Sequence, residues 1–564
     1  MTLSMTRRLL APLAALCVGG AAACVDLTEQ PITGLTSSYF TNPTSFDAVV
    51  NATYTPLRSH WALERGSTMT VFGTDEYTKG ADGSYKFFND YTAQLNGDVD
   101  YIRDTWRDLY QGVNTANTVI ELAKTADVPQ ATKDVRVGEA KFLRALYYFT
   151  LVRTYGDVPL PLTPTPLTLP AEATATTREP TAKVYEQIVK DLTEAVAVLP
   201  EKAAQYGRAD RPAAQHLLGE VYLTRAGAPS AADATSPDIA AAVTALSAVA
   251  NNSRFALVPR YRDLWTMGNE ANSEIVWAIQ YTSDPLTTGA GNKLHLYFTS
   301  AYDIEPGMQR DIANGRPFRR FRPTVWQLAL WDRTKDSRYE DMYKVVWISN
   351  NPANIPKDAA GNPKFTVGDT AIYMPGIETI STTMRNATRY KLYGEKEYTD
   401  AMFPTLNKYL DPTRTSTNQE EGQRDHPLMR LSNTYLMLAE ALIRQGKTTE
   451  GLVWLNKVRV RAAKTPAQEA AMLVTVADLA TSKSGADPIE FILDERAREL
   501  TGETTRWFDL KRTGRLVGPA TISRVKKWNP QGAPNIQDFH ALRPIPNTEI
   551  LNSTGTNMKQ NPGY

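Results

Sequence analysis

The sequence is poor in the residue types that cross-link chains or hold metals. It has two cysteines and five histidines in 564 residues, and both cysteines, Cys17 and Cys24, lie within the first 24 positions. This placement excludes a disulfide framework in the body of the chain. No histidine has a second His or Cys at zinc-ligand spacing, and the sequence contains neither HExxH nor GxSxG. We therefore expect no metal site, no catalytic residue and no cofactor.

The chain also lacks an excess of charge of either sign. Its 62 Lys and Arg residues face 61 Asp and Glu residues, and the formal net charge is +1. A balanced charge gives no basis for a nucleic-acid partner held through its phosphates. After the first residues no segment reaches the roughly 18 consecutive apolar residues of a transmembrane helix. Hydrophobic residues make up 42 %, as is ordinary for a folded globular protein.

The amino terminus has the pattern of an export signal. Arg7 and Arg8 precede an apolar run over 9–18, and small residues then lead to Cys24. A short cationic segment, a short apolar run and small residues are typical of a secretory signal peptide. A cysteine directly after them favours a bacterial lipoprotein signal over 1–23, with Cys24 as the lipid attachment site. The alternative is an ordinary signal peptide with an incidental cysteine.

Apolar residues recur at three- and four-residue steps through much of the chain, which indicates helices packed along one face. The predicted helices cover 102–120, 135–153, 181–199, a segment opening at Asp210, a pair within 430–462 and a segment opening at Asp487. The pair has nearly the 34-residue length of a tetratricopeptide unit. The predicted fold class is therefore mainly α, a tetratricopeptide-like helical-repeat scaffold.

Residues 268–426 show little periodicity, because Gly, Pro, Asn and Asp interrupt short apolar pieces. We expect a large irregular, loop-rich insertion that contains a few short strands, such as 275–279 and 345–348. The predicted division is a signal peptide (1–23), an amino-terminal helical part (24–267), the insertion (268–426) and a carboxy-terminal part (427–564).

Several segments together resemble the SusD/RagB family of outer-membrane lipoproteins. In chain order they are the start at Cys24, 106–120 (WRDLYQGVNTANTVI), 139–159 (EAKFLRALYYFTLVRTYGDVP), 430–462, 495–512 (ERARELTGETTRWFDLKR) and the tail with LRPIP and QNPGY. The resemblance covers nearly the whole chain after the signal. The sequence differs from the family pattern at Ala21, where lipoprotein signals usually carry Leu, and in the insertion.

The resemblance implies a helical lobe packed against an irregular lobe that carries the ligand site. It also implies a place, the outer face of an outer membrane, and a partner, a SusC-like TonB-dependent transporter. In that role the protein captures an oligosaccharide, or in some relatives a peptide, and closes it over the transporter without catalysing a reaction.

Sugar rings have apolar C–H faces that stack on Trp and Tyr, and hydroxyls that bind Asp, Asn and Arg. Two stretches combine these residue types. The first supplies Asp75, Glu76, Tyr77, Tyr85, Asn89 and Tyr91, and the resemblance implies that it contributes binding residues in relatives. The second, in the insertion, supplies Tyr297, Tyr302, Arg320, Trp326, Trp331 and Trp347. For each aromatic residue alone core packing is the favoured alternative, and we expect two or three of the group to line the pocket.

The run 316–322 (RPFRRFR) carries four arginines and two phenylalanines. It is compatible with an anionic glycan such as a uronic-acid polymer, with contact to the transporter, or with a solvated loop.

Two other functions stay open from the sequence. A glycan-cleaving enzyme needs two carboxylates that can lie anywhere in the chain, and a tetratricopeptide adaptor needs no small ligand. The acidic run 494–499 (DERARE) is better explained as a salt-bridged helix face than as an acid/base pair.

Overall fold

The structure, a computed structural model, describes residues 42–165, 177–284, 286–553 and 558–564. The predicted signal peptide and Cys24 lie outside these residues. Among the helices of the described residues, none combines the length and the apolar character that crossing a bilayer requires.

Helices dominate the described part of the chain. They are α1 (Pro43–Ala52), α2 (Thr55–His60), α3 (Glu64–Thr70), α4 (Phe87–Asp90), α5 (Asp100–Leu122), α6 (Gln130–Tyr155), α7 (Thr181–Val198), α8 (Arg211–Arg225), α9 (Pro237–Ala250), α10 (Tyr261–Leu264), α11 (Leu294–Tyr297), α12 (Val325–Leu328), α13 (Arg338–Met342), α14 (Thr382–Ala387), α15 (Leu431–Arg444), α16 (Thr448–Arg461), α17 (Glu469–Met472), α18 (Pro488–Glu499), α19 (Arg506–Arg512), α20 (Arg524–Trp528) and α21 (Asn547–Asn552). The strands are β1 (Tyr77–Lys79), β2 (Ile275–Ile279), β3 (Phe321–Pro323), β4 (Tyr343–Lys344), β5 (Val346–Ile348), β6 (Thr370–Tyr373), β7 (Lys391–Leu392), β8 (Thr405–Leu406) and β9 (His426–Arg430).

The long helices pack in chain order, as in a helical repeat. Helix α5 packs against α6, α6 against α7, α7 against α8 and α8 against α9. The series then continues across the insertion, because α9 packs against α15, and α15 against α16 and α18. The insertion therefore leaves the array of helices unbroken, and the predicted fold class is confirmed.

Local chemistry explains where several of these helices begin. The Asp210 carboxylate accepts a hydrogen bond from the backbone N–H of Ala213 at 3.1 Å, and the Asp487 carboxylate accepts one from Ile489 at 2.9 Å. Both are N-caps followed by a proline in the first turn. Helices α1 and α9 were not predicted. In α9 the apolar alanines lie on most sides of the helix, so its sequence has no single periodic face.

The insertion is anchored to the scaffold at its ends. Strand β2 pairs antiparallel with β9, so that Ile275 lies opposite Arg430 at the start of α15. Strands β5, β6 and β7 form a three-stranded sheet whose Trp347 and Ile372 enter a small separate core. The strands predicted at 275–279 and 345–348 are confirmed as β2 and β5.

The pairing of β1 with β3 determines where the two candidate stretches meet. Tyr77 lies opposite Pro323 and Lys79 opposite Phe321 in an antiparallel register. This pairing lays the segment after α3 beside the arginine-rich run 316–322. The main hydrophobic core takes residues from all three predicted parts of the chain, while the boundaries between those parts stay a prediction.

Candidate ligand-binding site

Aromatic residues from both candidate stretches meet at one partly exposed surface, which we call the aromatic patch. Its members are Tyr85, Phe87, Tyr101, Tyr297 and Phe318, together with the charged residues Glu64, Asp100 and Arg320. The rings of Tyr85 and Tyr101 stack with centroids 3.7 Å apart and planes 16° apart. Phe87 meets Tyr85 edge-on at 6.0 Å. Tyr297 lies beneath the patch, with its ring centroid 6.2 Å from that of Phe318.

Glu64 lies where the two halves of the patch meet. Its carboxylate is 3.1 Å from the Nε atom of Arg320, and the two side chains are 16 % and 24 % exposed. Burial raises the pKa of both Tyr101 and Tyr297, and the nearby Glu64 charge raises both further. A single carboxylate thus lies close to rings from the first stretch and from the insertion.

The phenol of Tyr85 is fixed by a hydrogen bond. Its hydroxyl donates to the Asp100 carboxylate at 2.7 Å. Burial and this carboxylate raise the pKa of Tyr85 to about 12, so the phenol stays neutral at physiological pH. The ring is held in place while part of its surface remains open to solvent.

The backbone under the patch is held in an unusual conformation. Arg319 has φ +48°, in the left-handed region that a residue with a side chain rarely adopts. The backbone N–H of Gly80 donates to the carbonyl of Arg320 at 2.9 Å, and that of Arg320 donates to Tyr297 at 2.9 Å. A Cβ atom on Gly80 would lie 2.1 Å from the Arg319 carbonyl oxygen, so only glycine allows this approach. The turn is followed by Arg320, whose guanidinium group lies 5.2 Å from the centroid of the Phe318 ring.

Three candidates at the start of the first stretch lie in the interior. The Asp75 carboxylate accepts hydrogen bonds from Arg506 at 2.7 Å and from Arg524 at 2.6 Å. Burial alone would raise the pKa of Asp75, but the two guanidinium groups lower it. Glu76 is buried and its pKa is raised to about 8, mainly by burial. The Tyr77 hydroxyl lies 3.1 Å from that of Tyr343.

Asn89 and Tyr91 are also buried in the interior. The Asn89 side chain accepts a hydrogen bond from Asn529 at 2.8 Å, and the Tyr91 hydroxyl donates to the Gly73 carbonyl at 2.8 Å. Both hydrogen bonds reach residues distant in sequence, and they fix the position of the segment before α5.

The remaining candidates in the insertion are core residues. Tyr302 and Trp347 stack in the small separate core with ring centroids 6.5 Å apart. Trp326 stacks on Trp528 at 6.1 Å, and Trp331 lies in the main core.

The structure thus divides the twelve ligand-binding candidates into two groups. Tyr85 and Arg320 are partly exposed at the patch, and Tyr297 is buried directly beneath it. The other nine are buried elsewhere, the alternative that the sequence favours for each aromatic alone, and their side chains are covered by protein. These nine are Asp75, Glu76, Tyr77, Asn89, Tyr91, Tyr302, Trp326, Trp331 and Trp347.

The sequence-based candidates did not include five members of the patch, which are Phe87, Tyr101, Phe318, Glu64 and Asp100. Tyr101 lies in the first turn of α5, next to Ile102, with which the apolar face of that helix begins. An aromatic residue off the apolar face is the signal that would have identified it. Glu64 gives no comparable signal, because it is one acidic residue in the first turn of a short helix.

The acidic run 494–499 is a buried ion-pair network. Arg338 contacts Glu495 at 2.8 Å and Glu499 at 3.1 Å, and these three side chains are fully buried. Arg430 contacts Glu499 at 3.3 Å. The salt-bridged face predicted for this run is confirmed, since its ion pairs join α18 to α13 and to the end of β9. Carboxylates so enclosed cannot reach a glycosidic bond.

The described part of the chain has no group of three or more His, Cys, Asp or Glu side chains placed to hold a metal ion. Two of its larger clefts lie away from the patch. One of about 510 Å³ is bordered by Arg153, Lys511 and Leu542, and one of about 430 Å³ by Tyr54 and Tyr206.

Comparison with known proteins identifies relatives over most of the chain. The SusD family model matches residues 329–564, and a model described as "starch-binding associating with outer membrane" matches 35–223. SusD-like protein P2 of Formosa agariphila is 25 % identical over 559 residues, which cover 96 % of this chain and 97 % of that protein. The starch-binding protein SusD of Bacteroides thetaiotaomicron is 27 % identical over 450 residues, covering 76 % and 72 %.

Solved structures share the fold along the same length. A laminarin-binding SusD-like protein has a TM-score of 0.64 and 23 % identity, covering 93 % of this chain and 100 % of that one. Surface glycan-binding protein A from Bacteroides thetaiotaomicron, in complex with laminarihexaose, has a TM-score of 0.65 and 21 % identity, covering 92 % and 100 %. The matched family models, the relatives and the shared fold agree with the motif series in the sequence, and the chain belongs to the SusD/RagB family.

Proposed function

We propose that this protein captures oligosaccharides at the aromatic patch and delivers them to a SusC-like TonB-dependent transporter. The observation that carries the proposal is the stacked pair of Tyr85 and Tyr101, surrounded by Glu64, Asp100 and Arg320. The role assigned to the protein is binding and delivery, with no bond made or broken in the ligand.

The patch has the two features that a sugar requires of a protein surface. Aromatic rings contact the C–H face of a pyranose and remove apolar area from water. Carboxylate and guanidinium groups at their edge accept and donate hydrogen bonds to the hydroxyls. Relatives support the ligand class, since those proteins are named as binders of starch and laminarin, and one was solved with laminarihexaose.

The proposed location is the outer membrane, with the protein held there by lipid on Cys24. The small residues before Cys24 support it, because they are typical of a signal peptide cleaved next to that cysteine. An acylated cysteine carries two or more fatty chains, which is enough for stable anchoring. A Cys24→Ala variant should leave the membrane fraction and appear in the soluble fraction after lysis. Retention of this variant on the membrane would contradict the anchor.

The ligand class is tested by calorimetric titration of the full-length protein in detergent with a panel of oligosaccharides and peptides. We expect binding to a glycan and no released product on prolonged incubation. Tyr85→Ala should lose about five- to thirtyfold in affinity, since an aromatic contact contributes on the order of 1–2 kcal/mol. The matched control is Tyr206→Ala, because Tyr206 is 41 % exposed and lies outside the patch. Binding to peptides alone, or equal losses in both variants, would contradict the proposal.

A further inference from the structure

The arginine-rich run 316–322 borders the patch and supplies its cation, Arg320, and each of the four arginines in the run has an acidic partner. Arg316 contacts Glu420 at 2.9 Å, Arg320 contacts Glu64 at 3.1 Å and Arg322 contacts Asp400 at 3.0 Å. Arg319 forms an ion pair with Asp82. The sequence shows four neighbouring cations, whereas the structure shows four ion pairs.

The acidic partners come from distant parts of the chain. Glu64 opens α3, Asp82 follows β1, and Asp400 and Glu420 belong to the far end of the insertion. Asp100, the other carboxylate of the patch, accepts a hydrogen bond from the Tyr85 hydroxyl. Each of the four arginines is therefore matched by a carboxylate, and Asp100 adds a further negative charge beside the rings.

Pairing neutralises the arginines without using all their donors. The Nε atom of Arg320 is buried and faces the Glu64 carboxylate, whereas the side chain as a whole is 24 % exposed. A guanidinium group has five N–H donors, so its outer N–H groups remain to donate to a hydroxyl. The patch thus keeps hydrogen-bond donors and has little free positive charge.

These contacts separate two classes of glycan. An anionic sugar at the patch would meet a carboxylate beside every guanidinium, and like-charge contact across an interface is costly. It would also need to displace a partner and leave that carboxylate unpaired. A neutral sugar uses the rings and the remaining donors and requires no displacement.

We propose that the ligand of the aromatic patch is a neutral oligosaccharide and that the carboxylate partners of the run 316–322 exclude uronic-acid and other anionic glycans. The inference rests on the proposed function and adds the charge class of the ligand. Of the three interpretations that the sequence leaves open for this run, the pairing argues against capture of an anionic polymer.

The test compares matched hexamers by calorimetry on the full-length protein in detergent. The neutral probes are laminarihexaose, cellohexaose and xylohexaose, and the acidic probes are hexagalacturonate and hexamannuronate. At least one neutral hexamer should bind more than about tenfold tighter than either acidic one, with little change between about 20 and about 200 mM NaCl.

A charge variant sharpens the comparison. Glu64→Gln leaves Arg320 without its carboxylate and should raise the affinity for hexagalacturonate severalfold at low salt. Glu121→Gln is the matched control, because Glu121 near the end of α5 is exposed, pairs with Lys124 just after that helix and lies outside the patch. The control should leave both classes of ligand unchanged.

The outcomes distinguish the inference from the proposed function. Acidic hexamers that bind as tightly as neutral ones, or a Glu64→Gln variant without increased hexagalacturonate affinity, would overturn the inference alone. No binding of any hexamer, or neutral binding that Tyr85→Ala leaves intact, would overturn the proposed function and the inference with it.

Discussion

The stretch from Asp75 to Tyr91 uses the same residue types in two opposite environments. At its start, Asp75 and Tyr77 point into the protein, where Asp75 pairs with Arg506 and Arg524. A few residues later, Asp82 and Tyr85 lie at the surface, where Asp82 pairs with Arg319. An acid, an aromatic ring and an arginine partner are present in both places. What distinguishes the structural residues from those of the proposed ligand site is access to solvent, which the residue types do not determine.

The two aspartates allow the most direct separation of these environments. Asp75→Asn removes the carboxylate that two buried guanidinium groups share. Arg524 keeps two other buried carboxylates, but among the described residues Arg506 keeps only the Glu76 carboxylate at 3.5 Å. The free energy of unfolding should fall by about 3 kcal/mol, since weakening a buried pair leaves a charge poorly compensated. Asp82→Asn makes the same chemical change at a side chain that is 41 % exposed and should cost about 1 kcal/mol or less. Urea unfolding followed by circular dichroism measures both. Equal losses would contradict the distinction between interior and surface.

Acid should affect the interior before it affects the patch. Burial, together with a nearby arginine, lowers the pKa of His60 and of His216 to about 3. Burial likewise lowers the pKa of His426 to about 4. In the unfolded chain these groups titrate near 6.5, so the stability they contribute is fully present above pH 6.5 and is lost as the pH falls towards 4.

Each such histidine can remove up to about 1.4 kcal/mol of unfolding free energy per pH unit below 6.5. Glu76 acts in the opposite direction, because its raised pKa of about 8 makes protonation favour the folded state as the pH falls. The net result should be a stability that declines from pH 7 to pH 4.5, as measured by urea midpoints.

Ligand affinity should stay constant between pH 7 and pH 9, because Tyr85, with a pKa of about 12, keeps its proton there. A stability that rises on acidification would contradict the burial of the histidines. An affinity that changes between pH 7 and pH 9 would contradict the neutral-phenol description of the patch.

Much of the fold could be predicted because helical periodicity is a local property. The ends of the predicted helices 102–120 and 181–199 lie within two residues of the ends of α5 and α7. The strand predicted at 275–279 agrees with β2. Helix α9 was missed because alanine-rich sequence has no distinct apolar face.

The candidate site was predictable only in part, because long-range contacts create it. The pairing of β1 with β3 joins Tyr77 to Pro323, and nothing in either segment alone specifies that partner. Likewise the arginines that donate hydrogen bonds to Asp75 lie at positions 506 and 524, far along the chain. The twelve candidates included three residues of the patch, but sequence could not tell these from their buried neighbours.

The most direct test of the central claim is a crystal structure of the protein with the oligosaccharide that binds best in titration. A sugar ring should lie against Tyr85 or Tyr101, with its hydroxyls within hydrogen-bonding distance of Glu64, Asp100 or Arg320. Ordered sugar at another surface, such as the cleft beside Tyr206, with the aromatic patch empty, would contradict the account.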